Sequence, residues 1–215
     1  MTSGKAGIIM LDTAFPRPLG DIGHPDSFSV SVGYRKVRQA SAQQAVRGDA
    51  DALLQPFIAA GRSLVEEGAS VIGTSCGFLS LFQDQMQAAL PVPVVTSALT
   101  LVPMLNRKTG ILTIDSNALS PRHLLAVGIT EPVPIVGLSK AGELASVVFE
   151  DKRELDGAKV GAEMIDAARA LMTQSPDLEA IVFECTNMGP YRTAVSQAVG
   201  VPVFTVIDAI EGALS

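Results

Sequence analysis

The chain has 215 residues, a net charge of −6, 47% hydrophobic residues and 18% charged ones. That balance describes a well-buried globular protein of one large domain or two small ones sharing a core, and it excludes disorder. It also argues against nucleic acid, because no basic run is available to neutralise phosphates, and no apolar run reaches the length of a membrane span.

Short apolar runs alternate with helical patterns along the chain, which predicts an α/β fold with mainly parallel sheets. Residues 7–11 (GIIML) read as a buried first strand. A Pro/Gly-rich loop over 16–25 follows, then an alternating stretch over 28–32 that suits an edge strand. Over 49–67, Leu53, Leu54, Phe57, Ile58, Leu64 and Val65 share one helical face, with Pro56 marking a kink or a late start. Next come a strand at 71–74, a helix over 83–90 and a strand at 92–95. The second part continues with strands at 110–114 and 134–136 and a charged, exposed segment at 149–155. A long helix through Val160, Met164, Ala168 and Leu171 leads to a strand at 180–183, a helix over 191–199 and a strand at 201–206.

Repetition is the strongest organisational signal. GIIMLDT (7–13) matches GILTIDS (110–116), so each run is a strand ending in an acid and a hydroxyl residue. The run to Cys76 (GASVIGTSC) has the length of the run to Cys185 (DLEAIVFEC), and each cysteine precedes a Pro-Val pair, at Pro93 and Pro202, by the same spacing. The expectation is two related α/β halves, 1–103 and 104–206, about a pseudo-two-fold axis, with the active site between them and 207–215 packing back on the first half.

Each cysteine is expected at the C-terminal end of a strand, just before a helix, where open α/β sheets place their ligand crevice. Free backbone N–H groups and the positive end of a helix dipole at that point favour thiolate. The two residues are read as free thiols, since the N-terminus lacks a signal-peptide layout and a reducing, cytoplasmic location follows. A lone cysteine is more often a small buried hydrophobe. Equivalent positions in a repeated frame reverse those odds. Two thiols on opposite faces of a carbon acid are what cofactor-free stereoinversion needs: one removes the α-proton as thiolate, and the other delivers a proton to the far face.

The strand ending in Asp12-Thr13, the GTSCG segment around Cys76 and the ECTN segment around Cys185 resemble the aspartate/glutamate racemase superfamily over nearly the whole chain. That superfamily includes aspartate, glutamate and hydantoin racemases, arylmalonate decarboxylase and maleate isomerase, all cofactor-independent. The resemblance implies catalysis by Cys76 and Cys185. Asp12 and Thr13 would lie beside the site, and Thr186, Asn187 and Ser116 would offer hydrogen bonds to a substrate carboxylate. Gly77 and Phe78 stand where amino-acid racemases of this group usually have Asn-Thr, and Asn187 stands where glutamate racemases often have His. These departures weaken aspartate or glutamate as substrate and leave the superfamily resemblance intact.

Other residues carry two readings each. Asp12 and Asp115 orient a thiol or bind an ammonium, or else cap the following turn. Arg17, in the loop FPRPLGD, clamps a carboxylate as part of a lid, or is a solvated surface arginine. His24 reads as surface, and Glu184 as structural, pointing to the side of the strand opposite Cys185. With only His24 and His123 and no Cys/His cluster, neither a metal nor another cofactor is expected.

The leading expectation is a racemase or epimerase of a small carboxylate-bearing compound, of amino-acid or hydantoin type. The alternatives are a maleate-type cis-trans isomerase or arylmalonate-type decarboxylase in the same fold, and, in another class, a non-catalytic small-acid binding protein. A homo-oligomer suits a small enzyme of this kind.

Overall fold

The computed structural model describes residues 4–214. In the first part of the chain β1 (Lys5–Leu11) lies between β2 (Ser31–Val37) and β3 (Val71–Thr74), with β4 (Val94–Val95) at the far edge, and all pairings are parallel. Its helices are α1 (Ala42–Arg47), α2 (Leu54–Glu66) and α3 (Gln83–Ala89). In the second part β5 (Thr109–Thr113) lies between β6 (Ile135–Gly137) and β7 (Ala180–Phe183), with β8 (Val203–Phe204) outermost. Here the helices are α4 (Pro121–Leu125), α5 (Glu143–Glu150), α6 (Gly157–Gln174), α7 (Arg192–Val199) and α8 (Val206–Gly212).

The two sheets share one strand order, and they share register. Ala6 pairs with Val71 and Thr109 with Ala180, so the partners shift by 103 and 109 residues, the offsets the sequence repeat carries. Ser75 N donates to Ile9 O and Glu184 N to Leu112 O, which keeps the same correspondence one residue before each cysteine.

β1 is buried on both faces, as parallel strands require. Ile9 joins Phe57 and Leu64 of α2, whereas Ile8 joins Ala209 and Ile210 of α8 in a separate cluster with Val71 and Val95. The last helix therefore packs on the sheet of the N-terminal strands.

Two elements differ from the sequence reading, and two others are refined. The edge strand falls at Ser31–Val37 and not at 28–32, because a 3-10 turn at Pro25–Ser27 precedes it and Phe28 turns into the α8 cluster. Pro56 sits in the first turn of α2, where its missing N–H costs nothing, so it marks the late start. The final strand stops at Phe204, because Thr205 and Asp208 form a capping box that starts α8. The stretch at 149–155 overlaps the end of α5, whose Leu144, Ala145, Val147 and Val148 are buried. From Glu150 to Glu154 the stretch is exposed, as expected, and Asp151 ends the helix at φ 51°.

Candidate active site

Each cysteine lies two residues beyond the end of its strand and is the N-cap of a six-residue 3-10 segment, Gly77–Phe82 after Cys76 and Thr186–Tyr191 after Cys185. The following element is thus a tight 3-10 turn, where the sequence suggested a helix. Both thiols line one narrow pocket. Its wall is built from corresponding residues of the two sheets: Leu11 with Ile114, Ser75 with Glu184, Gly77 with Thr186, and Phe78 with Asn187. Phe15, Ala42, Val46 and Val148 complete it. Cys76 and Cys185 are only 8% and 7% exposed.

That burial overturns the expectation of ready thiolates. Burial, reinforced by the Glu184 charge, pushes the Cys76 thiol up to about 12. The amides of Phe78 and Leu79 act on it in the expected, lowering direction and are outweighed. Cys185 is driven well above the ordinary thiol range for the same two reasons, with the Asn187 amide opposing. In a cleft this dry the desolvation of a charge exceeds what two or three amide dipoles return.

Glu184 corrects the sequence reading more sharply. It is fully buried, lines the cavity and faces both thiols electrostatically. Its Oε2 accepts from Thr113 Oγ1 at 2.7 Å, while Oε1 has no hydrogen-bond partner. Burial raises its carboxyl to about 8, the Thr113 hydroxyl opposing the rise. The alternation argument failed because β7 ends at Phe183, so strand periodicity no longer governs the next residue. Gly77 explains itself here. A Cβ at that position would meet the Glu184 carbonyl oxygen and Oε1 well inside the 3.0 Å that real Cβ atoms respect. The residue that departs from the racemase pattern is small because a carboxyl from the other half occupies its side-chain space.

The remaining residues singled out from sequence divide between wall and surroundings. Gly77, Phe78, Thr186 and Asn187 line the cavity; Asp12, Thr13, Ser116 and Arg17 lie outside that lining. Asp12 is exposed, accepting from Gln39 N at 3.0 Å and pairing with Lys36 at 3.3 Å, and Ser116 is exposed too. Thr186 Oγ1 donates to Ser75 O across the two halves at 2.7 Å. Asn187 holds a chain of contacts: Cys185 Sγ to its Oδ1 at 3.6 Å, its Nδ2 to Asp21 Oδ2 at 2.8 Å, and Arg17 from Asp21 on to Thr13 Oγ1, both at 3.0 Å. Asp21, 1% exposed, had no signal beyond its place in the Pro/Gly loop. Arg17 also stacks 4.3 Å over the Phe15 ring, so the loop it belongs to forms part of the roof. His24 caps the turn at Pro25–Ser27, half-buried and outside the cavity lining.

Two links tie the halves together beside the cavity. Arg47 of α1 donates to Asp115 Oδ2 from Nε at 3.0 Å and from a terminal nitrogen at 2.7 Å, and it stacks 3.9 Å over Phe149. Burial raises the Asp115 carboxyl, but Arg47 outweighs it and holds the group below the ordinary value. On the other side Asp151 Oδ1 accepts from the amides of Ala14 and Phe15 at 2.7 and 3.1 Å. Among the described residues no group of three or more His, Cys, Asp or Glu is placed to hold a metal ion, and no helix is long and apolar enough to cross a membrane.

This arrangement of strands is shared with solved proteins. The chain aligns with unliganded arylmalonate decarboxylase over 98% of its length and 91% of that chain, at 17% identity and a TM-score of 0.65. With a glutamate racemase from Bacillus anthracis the coverage is 100% and 81%, the identity 15% and the TM-score 0.59. An aspartate racemase homologue from Pyrococcus horikoshii aligns at 16% identity and a TM-score of 0.57, over 98% and 96%. The chain has the aspartate/glutamate racemase fold. In sequence, the racemase-fold chain is 29% identical to a dimethylsulfoniopropionate lyase of Durusdinium sp. clade D, over 94% of its own length and 71% of that protein. It is 30% identical to dimethylsulfoniopropionate lyase 7 of Emiliania huxleyi, over 97% of itself and 66% of the relative. The chain thus spans about two thirds of the length of these curated relatives. No protein-family model matches it.

Proposed function

We propose that the protein is a lyase that removes the proton next to a carboxylate and expels a sulfonium group from the neighbouring carbon, with dimethylsulfoniopropionate or a close analogue as substrate. The observation that carries this reading is the cavity: two cysteines and one carboxyl set in a wall that is otherwise largely apolar. An amino-acid ammonium demands several hydrogen-bond acceptors, whereas a dimethylsulfonium has no N–H or O–H to satisfy and suits apolar and aromatic walls. Phe15 and Phe78 both belong to that wall. The likeness to proteins named dimethylsulfoniopropionate lyases, at 29% and 30% identity, supports the same choice over a racemase.

The chemistry stays that of a carbon acid. A cysteine thiolate takes the α-proton, the electron pair becomes the new C=C bond, and the C–S bond breaks to release dimethyl sulfide and acrylate. Backbone amides at the starts of the two 3-10 segments are the donors that would stabilise the substrate carboxylate, on which negative charge grows in the transition state. The second cysteine lines the same pocket from the other half. Gas chromatography of the headspace over protein and dimethylsulfoniopropionate, with acrylate measured in solution, tests this. Equal yields of both products, abolished in Cys76→Ser and Cys185→Ser, are expected; no product from the intact protein would overturn it.

A two-thiol racemase is the second reading, favoured by the equivalent placement of Cys76 and Cys185 in the two halves. It requires single-cysteine variants that each still exchange the α-proton of one enantiomer of a chiral substrate.

A further inference from the structure

The cavity contains a dissociable group to which the elimination above gives no task. Glu184 is fully buried, its Oε2 is held by the Thr113 hydroxyl, and its Oε1 is left without a partner on the side of Gly77, the residue next to Cys76. An unsatisfied buried carboxyl oxygen costs stability, and such a cost persists where function maintains it. The space it fills is kept open by the absence of a side chain at Gly77. Its counterpart in the first half, Ser75, has no ionisable group and spends its hydroxyl on the Leu11 amide at 2.9 Å.

We propose that Glu184 is the proton acceptor of the cysteine pair: its carboxylate takes the S–H proton of Cys76 and so makes the thiolate that the dry cavity otherwise forbids. The inference rests on the elimination reading for its substrate, though not for its thiol chemistry. The step balances. The S–H bond breaks and an O–H bond forms at Glu184, leaving thiolate and carboxylic acid with one negative charge throughout. The thiolate then takes the α-proton, dimethyl sulfide leaves as a neutral molecule, and acrylate carries away the negative charge of the substrate carboxylate. Glu184 returns its proton to solvent, and that proton is the one the overall reaction liberates. The two thiols and Glu184 together carry no more than one negative charge at any time, which suits a site where a second is prohibitive. The titratable and charged groups acting here are Cys76, Cys185 and Glu184, with Arg17 and Asp21 acting on the thiols from the loop. Glu184 acts through the thiol, so it is a positioning residue for the proton. The carboxyl is the group whose range, about 8, lies nearest neutrality.

The test is alkylation of Cys76 by iodoacetamide across pH, without substrate, mapped by mass spectrometry, beside dimethyl sulfide release by the same variants. In the intact protein alkylation should rise in a step with its midpoint near 8. Glu184→Gln keeps the shape and loses the base: the step should vanish, the rate at pH 8.5 should fall by about tenfold or more, and turnover should fall by roughly 10²–10⁴. Equal or faster alkylation in Glu184→Gln, which removal of a merely repulsive charge produces, would overturn the proposal. So would full turnover in that variant. Thr113→Val provides an arm that does not depend on the folding of Glu184→Gln: losing the hydroxyl should move the midpoint upward, and an unmoved midpoint counts against the proposal. If the intact protein shows the alkylation step and releases no dimethyl sulfide, the lyase reading fails while Glu184 stands as proton acceptor.

Discussion

One residue before each cysteine the two halves diverge. Ser75 accepts the Leu11 amide on its hydroxyl oxygen and has no ionisable proton, while Glu184 brings a carboxyl with one free oxygen to the same place in the second half. The acids after the first strand of each half diverge as well: Asp12 is exposed at 39% and pairs with a surface lysine, while its counterpart Asp115 is 3% exposed and clasped by Arg47. Duplication supplied two equal thiols. The surrounding side chains made the second half the charged one, so a fold suited to symmetric proton transfer holds an asymmetric site, and asymmetry is what a one-way elimination needs.

The largest expected effect concerns the charge itself. A carboxyl held at about 8 in the folded state, against 4.5 in the unfolded, keeps its proton when folded and loses it when unfolded. Its contribution to stability is therefore full below pH 4.5, declines as pH rises, and is gone above 8. Urea melts at pH 5 and 8.5 should show the intact protein losing about 4 kcal/mol more than Glu184→Gln. Equal losses would mean that Glu184 ionises freely. Ser75→Ala keeps Glu184 and should decline as the intact protein does.

Gly77→Ala comes next. The added methyl has no room beside Glu184, and overpacking of this kind costs about 3 kcal/mol, whereas Thr186→Ala at the equivalent position loses one hydrogen bond and about 1 kcal/mol. Denaturant unfolding of both variants measures the ratio, and equal costs would remove the steric argument. The smallest effect separates the two acids. Asp115→Asn should cost about 2 kcal/mol by leaving Arg47 half-satisfied across the two halves, whereas Asp12→Asn should leave the urea midpoint where it was.

Much of the fold was legible. The strands at 71–74 and 180–183 carry their full buried pattern in sequence, and the repeat around GIIMLDT and GILTIDS set the correspondence that β1 and β5 obey. Short helices were missed, α1, α4 and α8 among them, because five to seven residues give too few turns to show a 3.6 period. Both cysteines were legible from the repeat, and the family resemblance singled out Gly77, Phe78, Thr186 and Asn187, which line the same cavity. Phe15, Val46 and Val148 were not, since α1, α5 and the loop before β2 reach the site by packing and not by motif. Glu184 was misread because alternation was carried one residue past the end of a strand. Pairing it with Ser75 in the repeat would have exposed the discrepancy. The thiolate expectation failed on magnitude, since amide dipoles are visible from a strand-turn boundary in sequence and the dryness of the finished cavity is not.

The central claim is that the two thiols and Glu184 together remove a proton next to a carboxylate and that elimination follows. Proton NMR of dimethylsulfoniopropionate with the protein in heavy water tests it most directly. The account predicts acrylate and dimethyl sulfide signals growing together, absent with Cys76→Ser and Cys185→Ser and slowed by roughly 10²–10⁴ with Glu184→Gln. A substrate spectrum unchanged by the intact protein, alongside α-proton exchange into an amino acid, hydantoin or dicarboxylate, would contradict it and return the site to racemase chemistry.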